Sequence, residues 1–161
     1  MPTAKDAIRA SMGMGEYLLK LYFQDLTDEE LAAVPVSGMN PAAWQIGHVI
    51  AVEHGAIEKV RPGFCPPLPE GFKEAHAKEV MQSGAFKPAL SKEEYLDLWA
   101  KTRAGSYRAL DDLTDEDMNA ETGSKFVPTV LALMSLVGTH ASLHAGQMVA
   151  VRRKLGKPVL L

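Results

Sequence analysis

The sequence is poor in cysteine, in long apolar runs and in excess charge, and each shortage excludes a class of protein. With Cys65 as the single cysteine among 161 residues, the chain has no internal disulfide, which suits a reducing cytoplasm. No apolar run approaches the roughly 20 residues that span a bilayer. A net charge of −3 gives no electrostatic case for nucleic acid. We therefore predict a cytoplasmic protein without nucleic-acid or membrane partners.

Sustained two-residue alternation of apolar and polar side chains is also missing, so no strand is predicted. Signals for helix starts and ends are present instead. Ser91-Lys-Glu-Glu94 is a capping box, Asn40-Pro41 combines an N-cap with a first-turn proline, and Gly156 follows the last periodic residue. We predict one all-α domain over residues 1–161. Its four main helices are predicted at residues 3–25, 41–60, 91–113 and 128–155.

Prolines and glycines punctuate the long connection between the second and third helices, residues 62–90. At about 3.3 Å per residue this connection could cross back over the roughly 30 Å length of a helix. Short connections elsewhere favour antiparallel neighbours, so we predict a four-helix bundle in up-down-down-up order. We also predict a short helix at 72–81, and a role for the segment from Cys65 to Phe86 in shaping a pocket. The predicted core includes Leu18, Trp44, Ile50, Leu98, Leu133 and Leu136.

The last helix carries two histidines on its apolar stripe. His140 and His144 lie one turn apart beside Val137, so both imidazoles can point to one spot. A buried imidazole needs a partner for its ring nitrogens. Each ring could hydrogen-bond to its own backbone carbonyl, or both rings could bind one metal ion. His48 adds a third inward imidazole from the face of Trp44. Three imidazoles with an open fourth position are typical of a catalytic metal site, and imidazole suits zinc, nickel, iron or cobalt.

Other titratable residues are weaker candidates for the site. His54 lies about 120° from His48 around the second helix and is interpreted as a surface or rim residue. His76 is interpreted as part of the irregular connection. Gln147 could orient a bound ligand, although a plain surface or outer amide is an equal alternative. The remaining candidates are expected to be solvated or incidental: Glu53, Glu58 and Cys65.

Two other kinds of metal site can be tested against the sequence. A zincin needs His-Glu-x-x-His, but Ala141 occupies the glutamate position between the two histidines of the last helix. A di-iron bundle needs Glu-x-x-His motifs, and no glutamate of this chain has a histidine three residues later. Both kinds of site are therefore excluded.

The motifs of two helices resemble those of the DinB/YfiT-like superfamily of bacterial four-helix-bundle metalloproteins. They read Asn40-Pro-x-x-Trp44-x-x-Gly47-His48 and His140-x-x-x-His144-x-x-Gln147, about 90 residues apart. The resemblance covers nearly the whole chain. It implies an up-down-down-up bundle, a homodimer, and a divalent ion, often nickel or zinc, held by His48, His140 and His144.

Family members of known activity are thiol S-transferases or isomerases, so the resemblance implies metal-dependent transfer of a low-molecular-weight thiol to a small electrophile. Bound metal lowers the pKa of a thiol or water beside it. Two alternatives stay open: a non-catalytic stress-response or binding module with a structural metal, and a metal-dependent hydrolase. We expect metal binding to fail as the pH falls through the imidazole range near 6.5. We also expect His54→Ala and His76→Ala to leave it nearly intact.

Overall fold

The computed structural model describes residues 1–82 and 86–160, and these residues are helical or irregular. Within them there are seven α-helices, one 3-10 turn (Glu30–Ala32) and no strand, although Glu121 and Thr129 form an isolated β-bridge. The all-α class predicted from the sequence is confirmed. The α-helices are α1 (Ala4–Phe23), α2 (Ala42–Val60), α3 (Phe72–Ala75), α4 (Lys78–Gln82), α5 (Lys92–Asp112), α6 (Asp115–Asn119) and α7 (Val130–Lys154).

The helix starts follow the capping signals of the sequence, with one shift. Ser91 and Glu94 form the predicted capping box, in which the Glu94 carboxylate accepts the Ser91 backbone N–H at 2.8 Å. At α2, Pro41 rather than Asn40 is the N-cap. The reason is that Pro41 has an extended backbone while its carbonyl already accepts the first helical hydrogen bond, from Gln45, at 3.1 Å.

Helix α1 packs against α7. In the middle of both helices the backbones are close, because an added Cβ on Gly138 of α7 would lie 3.0 Å from the Ser11 hydroxyl of α1. At the far end, Arg152 of α7 donates to the Tyr22 carbonyl at 3.1 Å and pairs with Asp25 at 2.5 Å. The buried Arg152 thus ties the end of α7 to the end of α1.

Helix α2 packs against both α5 and α7, and it carries a buried ion pair toward α5. Glu53 was predicted to be solvated, which is wrong: it is 2% exposed and lies 2.9 Å from the guanidinium of the equally buried Arg103. Ser106 donates to its other oxygen at 2.6 Å. Burial raises the pKa of Glu53 to about 7, against the opposing charge of Arg103. Glu58 is partly exposed and accepts the Gly63 backbone N–H at 3.0 Å.

The core forms two clusters of buried side chains, one at each end of the long helices. Phe23, Ile46, Tyr95 and Met148 are among the members of the first cluster. Of the predicted core residues, Trp44, Ile50, Leu98 and Leu133 are buried. Leu18 and Leu136 are only partly buried.

The connection between α2 and α5 differs in part from its prediction. The single helix expected at 72–81 is two short helices, α3 and α4, and residues 83–85 of the segment lie outside the described residues. His76 lies between the two helices, within the connection as expected, and it is only 1% exposed. Its ring donates from Nδ1 to the Phe72 carbonyl and accepts at Nε2 from the Tyr95 hydroxyl, both at 2.8 Å. The connection is thereby anchored onto α5 through Tyr95.

Candidate metal centre

Three histidines from two helices converge at the interface of α2 and α7. His48 comes from α2, and His140 and His144 come from successive turns of α7. One ring nitrogen from each lies within 4.8 Å of the others. The Nε2 atoms of His140 and His144 are 3.0 Å apart. The structure therefore brings together all three residues that the sequence analysis selected as metal ligands.

Local helix geometry explains the orientation of the rings. His140 and His144 are four residues apart, so their side chains leave α7 on one face. Trp44 and His48 have the same spacing on α2, and their rings stack with centroids 4.5 Å apart and planes 8° from parallel. The buried indole thus restricts His48 to one plane, facing the two rings of α7.

A buried amide sets the tautomer of His144. Its Nδ1 lies against the Gln45 side-chain oxygen, and the Gln45 amide nitrogen donates to the Asn40 carbonyl at 3.3 Å. Since the Asn40 carbonyl can only accept, the Gln45 oxygen must face His144 and accept the Nδ1–H. Nε2 of His144 is then unprotonated, with its lone pair directed to the centre of the three rings.

A backbone carbonyl has the same effect on His48. Its Nδ1 lies 3.3 Å from the His76 carbonyl, which can only accept, so the proton is on Nδ1 and the lone pair on Nε2. The Trp44 indole N–H donates to the next carbonyl, that of Ala77, at 3.3 Å. Outer partners of this kind commonly orient metal-ligating histidines.

The donor set fits a divalent ion that prefers imidazole. Zinc–nitrogen bonds of about 2.0–2.1 Å in a tetrahedral site place ligand nitrogens about 3.3 Å apart, close to the 3.0 Å between His140 and His144. Two of the three histidines direct an Nε2 lone pair at the common centre because their Nδ1 protons are already used. The rings also line an open cavity of about 710 Å³, which leaves room for a further ligand beside a bound ion. The three histidines could therefore hold such an ion with a coordination position free.

The environment keeps these imidazoles neutral, as metal ligation requires. Burial lowers the pKa of His144 to about 3, helped by the neighbouring His140 and His48. Burial also lowers the pKa of His140 to about 4, with smaller contributions from His48 and Lys78. The pKa of His48 is lowered for the same main reason. Protons should therefore compete with a metal ion at a lower pH than the value near 6.5 expected from the sequence.

The metal-free protein should lose stability as the pH falls below 6.5, the ordinary pKa of histidine, toward 4. The unfolded chain takes up protons on its histidines in this window, whereas folded His140 and His144 stay neutral, so acid favours the unfolded state. Glu53 has the opposite effect, since its raised pKa lets the folded state bind a proton that the unfolded state releases. Urea unfolding with a chelator at about pH 7 and pH 5 should show a smaller acid-induced loss for His140→Gln/His144→Gln than for the unmodified chain. Equal acid-induced losses of stability in the two proteins would contradict the assignment of this effect to His140 and His144.

The remaining sequence candidates lie in different surroundings. Gln147 is partly buried and lines the same cavity as the three histidines. His54 was predicted to be a surface or rim residue, which is wrong: it is 8% exposed and lines a separate cavity. Cys65 lines that second cavity too, and burial raises its thiol pKa to about 12, so it is inert as a nucleophile at neutral pH.

Two residues of the site were missed by the sequence analysis, Gln45 and His76. Gln45 is 0% exposed on a helix that is buried on most of its surface, so helical periodicity did not separate an inward side from an outward one. His76 lies in a segment without periodicity. The usable signal was the polarity of Gln45 within an apolar run, next to Trp44.

Gln45→Met should weaken metal binding by about 10- to 100-fold, the range typical for loss of an outer partner. The substitution keeps the volume but removes the acceptor of the His144 Nδ1–H, so the ring is free to change tautomer. Gln45→Glu retains an acceptor and is the matched control. Competition with a chromogenic chelator measures both, and a Gln45→Met protein that binds metal like the unmodified chain would rule out this orienting role.

An all-helical fold with three convergent, neutral histidines beside an open cavity defines a helical protein with a candidate metal site. The chain matches the DinB superfamily over residues 14–148, and it belongs to that family. The comparison with curated proteins gave no match. Within the described residues, none of the helices combines the length and apolar character needed to cross a bilayer.

Proposed function

We propose that the protein is a metal-dependent thiol S-transferase that uses a low-molecular-weight thiol on a small electrophile, with zinc or nickel held by His48, His140 and His144. The observation that carries the proposal is the convergence of three imidazoles, two of them with the tautomer set by Gln45 and His76, beside an open cavity. A bound divalent ion would supply positive charge that lowers the pKa of a thiol placed next to it.

The residues of the cavity have complementary roles. Trp44 forms an apolar wall beside His48 and keeps water from one side of that ring. Gln147 lines the same cavity and offers both a donor and an acceptor to a bound molecule. Lys78 brings a positive charge to the cavity, which favours an anionic sulfur over a neutral one. These residues would bind and orient the thiol.

The composition of the cavity favours transfer of a thiol to an electrophile over hydrolysis. None of the described residues that line it is Asp or Glu, and Ala141, between the two histidines of α7, is 0% exposed. A metallohydrolase of the zincin kind uses a glutamate as general base for water. A thiol has a much lower pKa than water and can be activated by charge alone. This difference supports the transferase over the hydrolase alternative.

Metal analysis and a thiol-transfer assay test the proposal together. The purified protein should contain about one zinc or nickel per chain, and it should accelerate the reaction of small thiols with 1-chloro-2,4-dinitrobenzene. In that reaction a sulfur–carbon bond forms, the carbon–chlorine bond breaks, chloride leaves and the thiol proton goes to solvent. Metal binding without transfer but with ester hydrolysis would favour the hydrolase. The absence of metal and of activity would favour a binding module.

We further propose that the four long helices form a single bundle domain in up-down-down-up order. The order of contacts supports it: Ser11 meets Gly138 and Tyr22 meets Arg152, as expected for parallel α1 and α7. Likewise, Glu53 meets Ser106 and Arg61 pairs with Asp112, as expected for parallel α2 and α5. The predicted cytoplasmic location stays a prediction.

A homodimer is proposed as well, supported by apolar side chains that the single chain leaves exposed. Met14 and Tyr17, one turn apart on α1, are 57% and 56% exposed, and Leu143 of α7 is 61% exposed. Tyr17→Glu should shift the protein from a dimeric to a monomeric mass in light scattering at micromolar concentration. A monomeric mass for the unmodified protein would overturn the proposal.

A further inference from the structure

The cavity beside the three histidines continues along α7 into a second one. The first cavity, of about 710 Å³, and the second, of about 630 Å³, share Met39 and Gln147 as lining residues. The second is lined mainly by apolar groups of α7 and of the segment before α2, among them Val36 and Val149, and ends at Arg153 and Lys154. The two cavities therefore adjoin at Met39 and Gln147 and are together called the groove, with the histidines at one end and two cations at the other.

Helix geometry gives the length of this groove. His140, Gln147 and Lys154 follow one another at seven-residue intervals, so they lie on nearly the same face of α7. With a rise of about 1.5 Å per residue, Lys154 is about 15 Å beyond His144 and about 10 Å beyond Gln147 along the helix axis. A small molecule that reaches from the histidines to Lys154 must therefore be elongated rather than compact.

The charge of the groove differs from that of the whole protein. The chain has 20 acidic and 17 basic residues, yet the described residues lining the groove include Lys78, Arg153 and Lys154 and no Asp or Glu. In the described part of the chain, these three cations take part in no salt bridge. Their neighbours behave differently, since Arg152 pairs with Asp25 and Lys157 with Glu30. Within the described residues, the groove thus presents positive charges that no carboxylate of the chain pairs with.

We propose that this groove binds an elongated thiol that carries a carboxylate, with its sulfur at the three histidines and its carboxylate at Arg153 and Lys154. This inference rests on the proposed function and names the class of its thiol cosubstrate. The apolar middle of the groove, around Met39 and Val149, suits the carbon chain that joins the two ends. Gln147 lies between the ends and can hydrogen-bond to a polar group of the chain.

A matched pair of thiols tests the inference. The protein is loaded with Co²⁺, and binding of 8-mercaptooctanoate and of the neutral 8-mercapto-1-octanol is followed by the thiolate absorption band of the cobalt. The anionic thiol should bind about fivefold more tightly or better, the scale expected for two exposed ion pairs, and added salt should reduce this preference. In Arg153→Gln/Lys154→Gln the affinity ratio should fall to about one.

Lys20→Gln/Lys125→Gln is the control, because it makes the same change in net charge at residues that line neither cavity; it should keep the preference. Equal binding of the two thiols to the unmodified protein, or the same loss in both double variants, would overturn the inference and leave the proposed function standing. If neither thiol binds the cobalt, calorimetry with octanedioate tests whether the groove still binds a carboxylate. If octanedioate binds more weakly to Arg153→Gln/Lys154→Gln than to the control variant, the groove binds anions but the proposed transferase function is wrong. If octanedioate binds equally to the two variants, both the inference and the proposed function are wrong.

Discussion

Replacing His48, His140 or His144 by alanine should each lower metal affinity by at least about 100-fold, beyond the 10- to 100-fold range for outer partners. Each variant leaves two protein ligands at a site that has three imidazoles within 4.8 Å of one another. The two clusters of buried apolar side chains contain none of these rings, so the variants should still fold. Equilibrium dialysis with Zn²⁺ or Ni²⁺ measures the affinity, and circular dichroism checks the helical content.

His54→Ala is the matched control for these variants. His54 lies on the same helix as the partly buried His48 and is itself buried, but it lines a cavity that contains none of the three convergent histidines. Its loss should leave metal affinity nearly unchanged. If His54→Ala lost the metal while His48→Ala kept it, the inward face of α2 would be misassigned and the site would lie elsewhere.

Gly47→Ala should both destabilise the fold and weaken the metal site. A Cβ at this position would lie 2.0 Å from Cδ2 and 2.2 Å from Nε2 of the His76 ring, which is buried and held by Phe72 and Tyr95. We expect a loss of about 3 kcal/mol, the upper end of the usual cost of overpacking. Metal affinity should fall by about 10- to 100-fold, because displacement of His76 removes the carbonyl that accepts the His48 Nδ1–H.

Two comparisons make this prediction sharp. Gly55→Ala adds the same methyl group to the same helix, where nothing lies within 4 Å of the new Cβ, and it should stabilise the protein by up to about 1 kcal/mol. In a His76→Ala background the clash is gone, so Gly47→Ala should cost much less there, a coupling that a double-mutant cycle measures. If Gly47→Ala destabilised the protein equally with and without His76, the proposed clash would be absent.

The role of His76 also changes an expectation drawn from the sequence. His76→Ala was expected to leave metal binding nearly intact because His76 was not assigned to the inward face that carries the three ligands. In the structure its ring anchors the backbone whose carbonyl meets His48 at 3.3 Å. We now expect His76→Ala to weaken metal binding, by less than the loss of a ligand.

The sequence predicted those features that depend on local spacing. The capping box at Ser91 and Glu94 located the start of α5, and the four-residue spacing of His140 and His144 placed both rings on one face of α7. The third candidate ligand, His48, could be found because it shares a face with Trp44. These interactions lie within one or two helical turns, where chain geometry alone decides which side chains are neighbours.

The features that were missed depend on which distant segments meet. Glu53 is buried because it pairs with Arg103 on another helix. No local sequence pattern in α2 predicts this ion pair. The burial of His76 follows from the space above Gly47, which exists only once the connection has crossed α2. A glycine within a helix can have several structural reasons. The sequence alone therefore did not predict that Gly47 makes room for the His76 ring.

The consecutive carbonyls of His76 and Ala77, which accept from His48 and Trp44, couple the α2–α5 connection to the state of the site. If ion binding favours the conformation of His48 that makes this hydrogen bond, a docked connection must in turn favour ion binding by the same free energy. Amide exchange at residues 72–78 should then slow when the ion is added, although these residues supply none of the three imidazoles. A proteolytic cut in the connection should likewise lower metal affinity, because a cut segment no longer holds the carbonyl that accepts from His48.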